Sequence, residues 1–253
     1  MAHVRAGAVL LAAVGTASAA TPCPAAGTLT AAVVRHVIDG DTVVLADGRH
    51  LRLVGIDAME LGHAGASDQP YSQEARRRLS ELLAQSDGRV GMEIGNEAYD
   101  VHGRMLAYLY SPSGADLGQA LLVEGLAVLI AEPPDVERLT CYGAAERSAR
   151  SRRLGIWSVE SPLVQHAADA APAAGVFLIL EGKVTDVQRR RAGLGLILEG
   201  RIKLWIDRRD LARFGADPAG LLGHKVLTRG WVRDYKGSLE IGIHAPQALP
   251  PLP

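Results

Sequence analysis

The sequence contains few cysteines, few aromatic residues and no long apolar run beyond its N-terminus. No segment after residue 20 is apolar for long enough to form a membrane-spanning helix. The only two cysteines, Cys23 and Cys141, allow at most one disulfide. With 48% hydrophobic and 22% charged residues, the 253-residue composition indicates a folded chain of one large or two small domains.

Lysine is missing from the first 174 residues, because all four lysines lie in residues 175–253. That segment carries 13 Lys and Arg against 8 Asp and Glu, whereas the rest of the chain carries 14 against 20. The net charge of -1 therefore hides an acidic part and a basic part. This asymmetry predicts two modules, of which the basic one is better suited to a polyanion.

Residues 1–20 have the pattern of a secretory signal peptide. Arg5 precedes a small apolar run over residues 6–14, and residues 17–20 are small enough for a cleavage site. An uncleaved N-terminal anchor is the alternative, although the run is too short to span a bilayer. The pattern predicts a periplasmic or secreted protein. An oxidising compartment would allow the two cysteines to pair, and two unpaired thiols are the other possibility.

The chain changes character at residues 159–174, an Ala- and Pro-rich stretch that we predict to be a linker. The preceding module, residues 28–158, has a strand and helix order that no βαβ sheet allows, which predicts a mostly antiparallel α+β fold. The predicted strands there are 31–45, 51–56, 89–94 and 105–110, and the predicted helices are 72–84, 116–127 and 136–153.

The module after the linker, residues 175–248, shows three strands, a partly helical segment and two more strands. This order is that of a small five-stranded Greek-key barrel of the OB type. The predicted strands are 176–188, 194–199, 202–207, 225–235 and 238–244, with the partly helical segment over 209–222.

Three short motifs concentrate carboxylates and arginines in the first module. They are Asp39-Gly-Asp41-Thr, Arg52-Leu-Val-Gly-Ile-Asp57-Ala-Met-Glu60 and Asp100-Val-His-Gly-Arg104. Carboxylates that bind a hard cation, beside arginines that bind phosphate, are what hydrolysis of a phosphodiester requires. For any one of these residues alone, an ordinary charge on a surface hairpin is the alternative.

The dipeptide Asp47-Gly48 predicts a β-hairpin with a two-residue turn. That register puts Val43 opposite Arg52, so Asp41 and Arg52 become diagonal neighbours on one face of the hairpin. Diagonal neighbours lie roughly 7–8 Å apart. The hairpin therefore predicts a gap between Asp41 and Arg52 that a phosphate and a cation would fill.

At these motifs, and at the closing Gly155-Ile-Trp-Ser158, the chain resembles the staphylococcal nuclease (thermonuclease) family over roughly Thr30 to Ser158. The resemblance implies an OB-type five-stranded β-barrel with added helices, followed in this chain by the second, smaller OB-like barrel. It also implies Ca²⁺-dependent hydrolysis of DNA and RNA that leaves 3′-phosphates.

The resemblance implies a metal site by position. Asp41 and Asp57 match the carboxylate ligands of the Ca²⁺ ion. Ala58 matches a position at which the family uses a backbone carbonyl, so an alanine there is compatible with the site.

The resemblance also implies the groups that act on the phosphodiester. Glu60 matches the residue that accepts a proton from the attacking water or orients it. Arg52 and Arg104 match the two arginines that hold the phosphate and stabilise its growing charge, for which a forked, permanently charged guanidinium is suited.

Three positions depart from the family pattern. Val101 replaces a basic residue, and His102 and Ala131 replace tyrosines that contact the substrate. Because these positions serve binding, we expect the substrate to be held more weakly or differently in this module. His102 would bind phosphate in a pH-dependent way, or it is an ordinary surface histidine.

Basic and aromatic residues alternate on two predicted strands of the second module. Lys203 and Trp205 share one face, and Arg229, Trp231 and Arg233 share a face of a later strand. This pattern is typical of single-strand binding, in which cations contact the backbone and ring faces contact the bases. The alternative is that the tryptophans pack inside the barrel or against the first module.

The sequence therefore predicts a secreted or periplasmic Ca²⁺-dependent nuclease that acts on DNA or RNA. A non-catalytic nucleic-acid-binding or scaffold protein with the nuclease fold is one alternative, and an enzyme acting on another phosphodiester is a second. The complete set of charged site residues favours catalysis over the scaffold. The choice between DNA and RNA and the oligomeric state stay open.

Overall fold

The computed structural model describes residues 22–62, 65, 67–199 and 202–250. The signal peptide predicted for residues 1–20 lies outside this range. Among the helices described, none combines the length and the apolar character needed to cross a membrane.

The N-terminal module is a closed β-barrel with added helices, which confirms the predicted fold class. Its strands are β1 (Thr30–Val37), β2 (Thr42–Leu45), β3 (His50–Leu53), β4 (Ile56–Ala58), β5 (Arg89–Tyr99), β6 (Met105–Tyr110) and β7 (Ala127–Leu129). Its helices are α1 (Ser72–Ala84), α2 (Leu117–Val123) and α3 (Leu139–Ser151). The barrel order is β1-β2-β3-β6-β5, closed by β1 against β5, while β4 and β7 form a separate pair.

Helix α1 has the bounds that its apolar spacing predicts. Ala75, Leu79 and Leu83 recur every fourth residue and are buried on one face of the helix. The predicted helices 116–127 and 136–153 are longer than the observed α2 and α3. Gly125, with a φ of 69°, allows the chain to turn after α2, and the residues beyond it pair with β4 as β7.

The hairpin of β2 and β3 differs from the predicted register by one residue. Arg52 lies opposite Thr42, not Val43. The loop contains three residues, because the Leu45 amide donates to the carbonyl of Arg49 and Gly48 has a φ of 90°. A turn followed by a glycine in the left-handed region is the usual form of a three-residue hairpin loop.

The C-terminal module is built from β8 (Val164–His166), β9 (Phe177–Arg190), β10 (Gly193–Leu198), β11 (Ile202–Asp207), β12 (Lys225–Tyr235) and β13 (Ser238–Gly242). Strands β10-β11-β13-β12-β9 follow one another, and pairing of β9 with β10 closes the ring. This is the strand order of the first barrel, including a parallel pair, β11 with β13. The segment predicted as partly helical contains only short 3₁₀ turns.

The predicted linker, residues 159–174, contains strand β8, which pairs in parallel with β9 at the edge of the second barrel. The two barrels also share an apolar cluster. Its buried members are Met59, Val128, Ala149, Ile156 and Trp157 from the first module and Ile179 and Leu227 from the second. The barrels therefore pack against each other through an apolar contact.

A disulfide joins Cys23 to Cys141, with their Cα atoms 5.7 Å apart. It links the segment before β1 to helix α3 across 118 residues of sequence. The amide of Cys23 also donates to Oε1 of Gln119 at 3.0 Å, so the start of the described chain is fixed to the helical side of the barrel.

Candidate active site

The turn between β1 and β2 places Asp41. Oδ1 of Asp39 accepts hydrogen bonds from the amides of Asp41, at 3.0 Å, and Thr42, at 2.7 Å. A Cβ atom at Gly40 would lie 2.5 Å from the Cβ of Ala58 and 2.6 Å from that of Ala75, so only glycine fits there. This turn interrupts the continuous strand predicted over 31–45, because Asp39 takes the amides that a strand neighbour would otherwise bind.

Arg52 bridges two buried carboxylates. Its Nη1 atom donates to Oδ1 of Asp41 at 2.7 Å, and its Nη2 atom contacts Oδ1 of Asp57. Asp41 also accepts from the amide of Ala58 at 2.7 Å and from the hydroxyl of Thr42 at 2.9 Å. The predicted separation of Asp41 and Arg52 is therefore wrong. Asp41 precedes β2, so strand alternation does not fix its direction and its side chain meets Arg52 directly.

The two carboxylates carry more negative charge than Arg52 offsets. Burial raises the pKa of Asp41, Arg52 lowers it, and the Asp57 carboxylate raises it further. Burial also raises the pKa of Asp57, against the effect of Arg52, and nearby Glu60 adds to the rise. A second cation at this place would therefore be favourable, since it would stabilise both ionised carboxylates.

The donor set fits a hard cation, to which the protein contributes few ligands. Carboxylate oxygens are what Ca²⁺ prefers, and Oδ2 of Asp57 accepts no hydrogen bond from the described residues. Ca²⁺ takes 6–8 oxygen ligands. In the described chain, no group of three or more His, Cys, Asp and Glu side chains is arranged to hold a metal. Water and phosphate oxygens would have to supply most of the coordination beside Asp41 and Asp57.

Glu60 lies just after β4, two residues beyond Ala58, and is partly exposed. Its amide donates to Oε1 of Gln69 at 2.8 Å, and the Gln69 amide donates to the Glu60 carbonyl at 3.0 Å. These two bonds hold the backbone of Glu60 beside the carboxylate pair, close enough for Glu60 to influence the pKa of Asp57.

Arg104 is held in a different ion pair. Its Nε atom donates to Oδ2 of Asp100 at 2.6 Å, and the amides of His102 and Arg104 donate to Oδ1 at 2.9 Å each. Burial acts to raise the pKa of Asp100, but these bonds outweigh it and the pKa is lowered. Among the described contacts, the Arg104 guanidinium binds within the loop between β5 and β6 and not to the Asp41 and Asp57 carboxylates that Arg52 bridges.

The positions that depart from the family pattern are either exposed or small. Val101 and His102 lie at the exposed tip of the loop between β5 and β6, and Ala131 is buried just after β7. The amide of His102 donates to Oδ1 of Asp100 at 2.9 Å, which helps to fix the loop.

Two of the basic residues predicted to bind nucleic acid are engaged elsewhere. The expectation for Arg229 is wrong, because it is buried and donates from Nη2 to Glu146 and from Nε to the carbonyl of Leu129, each at 2.8 Å. The first barrel packs on the outer face of β12 at this point, so Arg229 is covered although it lies on the same face as Trp231 and Arg233. Lys203 is largely covered and pairs with Glu240 at 2.8 Å.

The other predicted residues of the second barrel remain accessible to different degrees. Trp205 is half-buried, with Nζ of Lys203 at 5.4 Å from its ring centroid. Trp231 is 48% exposed, and the side chain of Arg233 is 55% exposed. The last two therefore keep the potential to contact a ligand.

A cleft of about 550 Å³ opens between the barrels next to Arg52. The first barrel contributes Arg52 and Glu132 to its lining, and the second contributes Arg209, Arg233 and His244. Sequence reasoning missed Arg209 and His244, since no spacing rule relates residues of one module to a site in the other. The only sequence feature that indicated the second-barrel side of this cleft was the alternation of Trp231 with Arg233.

Comparison with known proteins follows the same division of the chain. Residues 50–159 match the family described as "Staphylococcal nuclease homologue". A thermonuclease from Staphylococcus hyicus is 31% identical over 129 residues, which cover 49% of this chain and 74% of that protein. A "Probable endonuclease LCL3" from Leptosphaeria maculans is 36% identical over 129 residues, covering 48% of this chain and 41% of that protein.

An "Endonuclease YhcR" from Bacillus subtilis is 28% identical over 144 residues, which cover 53% of this chain. The chain thus spans only 41% and 12% of the lengths of the LCL3 and YhcR relatives. All of these similarities extend over about half of this chain.

Proposed function

Because the chain belongs to the staphylococcal nuclease family, we propose that it is a Ca²⁺-dependent nuclease that hydrolyses phosphodiester bonds of DNA, RNA or both. One observation carries the proposal: Asp41 and Asp57, both buried, converge on Arg52 beside Glu60 and at the edge of an open cleft. A largely buried guanidinium between carboxylates is suited to phosphate, since a phosphate oxygen can take the place of a carboxylate oxygen on the same donors.

Each residue then has a distinct role. Arg52 binds the phosphate through its forked N–H donors, and Arg104 reaches the same phosphate once it leaves Asp100. Both stabilise the negative charge that grows on the phosphate oxygens. Asp41 and Asp57 would hold Ca²⁺, which would supply further charge neutralisation and activate water for attack.

Glu60 acts as general base or orients the water. The water oxygen forms a bond to phosphorus as its proton passes to the Glu60 carboxylate. The bond between phosphorus and the 5′ oxygen breaks, and that oxygen takes up a proton as it leaves. The phosphate stays on the 3′ oxygen, so the products carry 3′-phosphates. We also propose that the enzyme works in the periplasm or outside the cell, where the Cys23–Cys141 disulfide persists.

The experiment is to incubate the mature chain with single-stranded DNA, duplex DNA and RNA, in Ca²⁺ or in chelator. Glu60→Gln is expected to lower kcat by roughly 100-fold or more, because a positioned general base contributes that much. Glu160→Gln, which makes the same change on an exposed residue, is the matched control and should cleave normally. End-group analysis of the products tests for the 3′-phosphate.

A non-catalytic binding protein is the second candidate, and the engagement of Arg104 with Asp100 is the observation in its favour. Binding of nucleic acid with no Ca²⁺-dependent cleavage above that of Glu60→Gln would establish it and overturn the nuclease. Cleavage that disappears with chelator and in Asp57→Asn would support the enzyme.

A further inference from the structure

The cleft at Arg52 has one basic wall and one acidic wall. Arg52 is the first-barrel cation in the lining, and the same barrel contributes Glu97, Glu132 and Asp135 to it. The second barrel contributes several arginines and the histidine to the opposite wall. A polyanion that reaches Arg52 would therefore lie along the second barrel, since the first barrel repels it elsewhere.

The Arg233 guanidinium lines this cleft, and neighbouring carboxylates neutralise little of its charge. Among the described residues, its acidic partner is Glu240 at 3.9 Å, and Glu240 already binds Lys203 at 2.8 Å. A Cβ at Gly242 would lie 2.9 Å from Nη2 of Arg233 and 3.1 Å from Nε2 of His244. The ends of the Arg233 and His244 side chains therefore lie close to the same point beside Gly242, which has no side chain to displace them.

Arg209 is a second accessible cation on the same wall. Its side chain is 79% exposed, and within the described part of the chain its acidic partner is Asp207 at 3.9 Å. The neighbouring Asp210, by contrast, is buried and engaged by two partners, since it pairs with Arg213 and accepts a hydrogen bond from Nδ1 of His244 at 2.7 Å. Asp210 therefore orients the Arg213 and His244 side chains of this wall and leaves the positive charges of Arg209 and Arg233 unneutralised.

Trp231 places an aromatic face next to these cations. It lines a cavity of about 170 Å³ that adjoins the cleft, because Glu132, Arg233 and His244 line both spaces. Phe177 contacts Trp231 edge-on, with ring centroids 5.5 Å apart and planes at 68°. This contact fixes the ring while leaving it 48% exposed, and the small Ala131 across the cavity leaves room for a flat group.

From this arrangement we infer that the second barrel is a single-strand subsite for the nucleic acid cut at Arg52. A base of the strand stacks on Trp231, Arg233 and Arg209 bind the flanking phosphates, and the strand continues across the cleft to Arg52. Stacking on an aromatic face requires an unpaired base, so the subsite selects single strands over duplexes. The inference rests on the proposed function for the identity of the substrate.

The test measures binding apart from cleavage. A fluorescein-labelled single-stranded oligothymidylate is titrated with the full chain carrying Glu60→Gln, and Kd is read from anisotropy at several salt concentrations. Arg233→Gln and Arg209→Gln are each expected to raise Kd and to reduce the slope of log K against log salt by about 0.7, the value for one phosphate contact on a single strand. Trp231→Ala is expected to raise Kd by roughly fivefold or more.

Three controls make the result specific. Arg191→Gln removes the same charge from an exposed position of the same barrel outside the cleft, and it should leave Kd unchanged. Trp231→Phe should keep most of the affinity. A duplex of the same length should bind more weakly than the single strand, and Trp231→Ala should hardly change its Kd. Thermal unfolding of each variant shows whether it is folded.

Equal effects of Arg191→Gln and Arg233→Gln would overturn the subsite, as would a Kd for oligothymidylate that Trp231→Ala leaves unchanged. An equal effect of Trp231→Ala on duplex and single strand would overturn the stacking. A failure of the proposed nuclease activity can be distinguished from a failure of the subsite. The first would appear as no cleavage of any substrate by the unmodified chain, whereas the binding measurements decide the second. In an active enzyme, Arg233→Gln should lower kcat/KM for oligothymidylate more than for the small diester bis(4-nitrophenyl) phosphate.

Discussion

Arg229 of the second barrel donates a hydrogen bond at 2.8 Å to Glu146 of the first, and both side chains are buried. The two residues also enclose Leu129 of β7, whose amide donates to Glu146 and whose carbonyl accepts from Nε of Arg229. Strand β7 pairs with β4, in which Asp57 lies opposite Val128. The ion pair between the barrels thus supports the strand that carries a site carboxylate.

Removing Arg229 is expected to leave the Glu146 carboxylate buried without its partner. Arg229→Met should lower the free energy of unfolding by about 3–5 kcal/mol, which is typical when one partner of a buried pair is lost. Adding Glu146→Gln should recover part of that loss, because the amide is neutral and still accepts from the Leu129 amide. Urea unfolding measures both, with Arg191→Met as the exposed control. A double variant no more stable than Arg229→Met would contradict this account.

Replacing Gly40 is expected to disturb the turn that orients Asp41. In Gly40→Ala the new Cβ would approach the Cβ atoms of Ala58 and Ala75 within 2.6 Å, so β4 or α1 must move. We expect a loss of stability of roughly 1–3 kcal/mol from overpacking and a lower cleavage rate. Gly27→Ala is the matched control, since its Cβ would meet no atom within 4 Å. Equal melting temperatures and rates for the two variants would show that the turn tolerates a side chain.

Reduction of the disulfide is expected to destabilise the protein. The bridge closes a loop of 118 residues, for which the chain-entropy relation gives about 4–5 kcal/mol. Thermal unfolding with and without reductant, and of the double variant Cys23→Ala with Cys141→Ala, measures the loss. Mass spectrometry after alkylation verifies the pairing. Thiols that alkylate before any reductant is added would contradict the bridge.

Asp116 is expected to make stability depend on pH in mildly acidic solution. Burial raises its pKa to about 6 from an ordinary 3.8, although hydrogen bonds from the Gln119 amide and the Tyr142 hydroxyl oppose the rise. The folded state therefore binds the proton more tightly than the unfolded state does. Its contribution to stability is fully present below about pH 4 and is lost as pH rises towards 6.

The isosteric variant Asp116→Asn isolates this effect, since it does not titrate. The free energy of unfolding of the unmodified chain, minus that of Asp116→Asn, should fall by ~3 kcal/mol between about pH 4 and pH 7, because each unit of pKa difference corresponds to ~1.4 kcal/mol. Denaturant unfolding at the two pH values provides the measurement. A difference that does not change with pH would mean that burial does not perturb Asp116.

The spacing of apolar residues was sufficient to predict an element whose hydrogen bonds lie within its own segment. Helix α1 was predicted at both ends, because its apolar residues recur at helical spacing and a helix satisfies its own hydrogen bonds. Strand β7 was not predicted, and its first residue, Ala127, was predicted as the end of a helix, since three residues carry no reliable period and the pairing partner β4 lies far away in sequence. The hairpin register was wrong by one residue because Gly48 adopts a positive φ that allows a longer loop.

The amino-acid sequence was sufficient to predict two β-rich modules, the resemblance of the first to the nuclease family and the residue types of its candidate site. Charge asymmetry and the order of strands and helices predicted the two modules, and the motifs carried the resemblance. The folded structure was needed to show that Arg229 is buried, that Arg104 pairs with Asp100 and that Arg209 and Arg233 line the same cleft as Arg52. The burial of Arg229 and the walls of the cleft depend on which surfaces of the two modules meet, and the pairing of Arg104 depends on the conformation of the loop between β5 and β6. Neither leaves a regular spacing in the sequence.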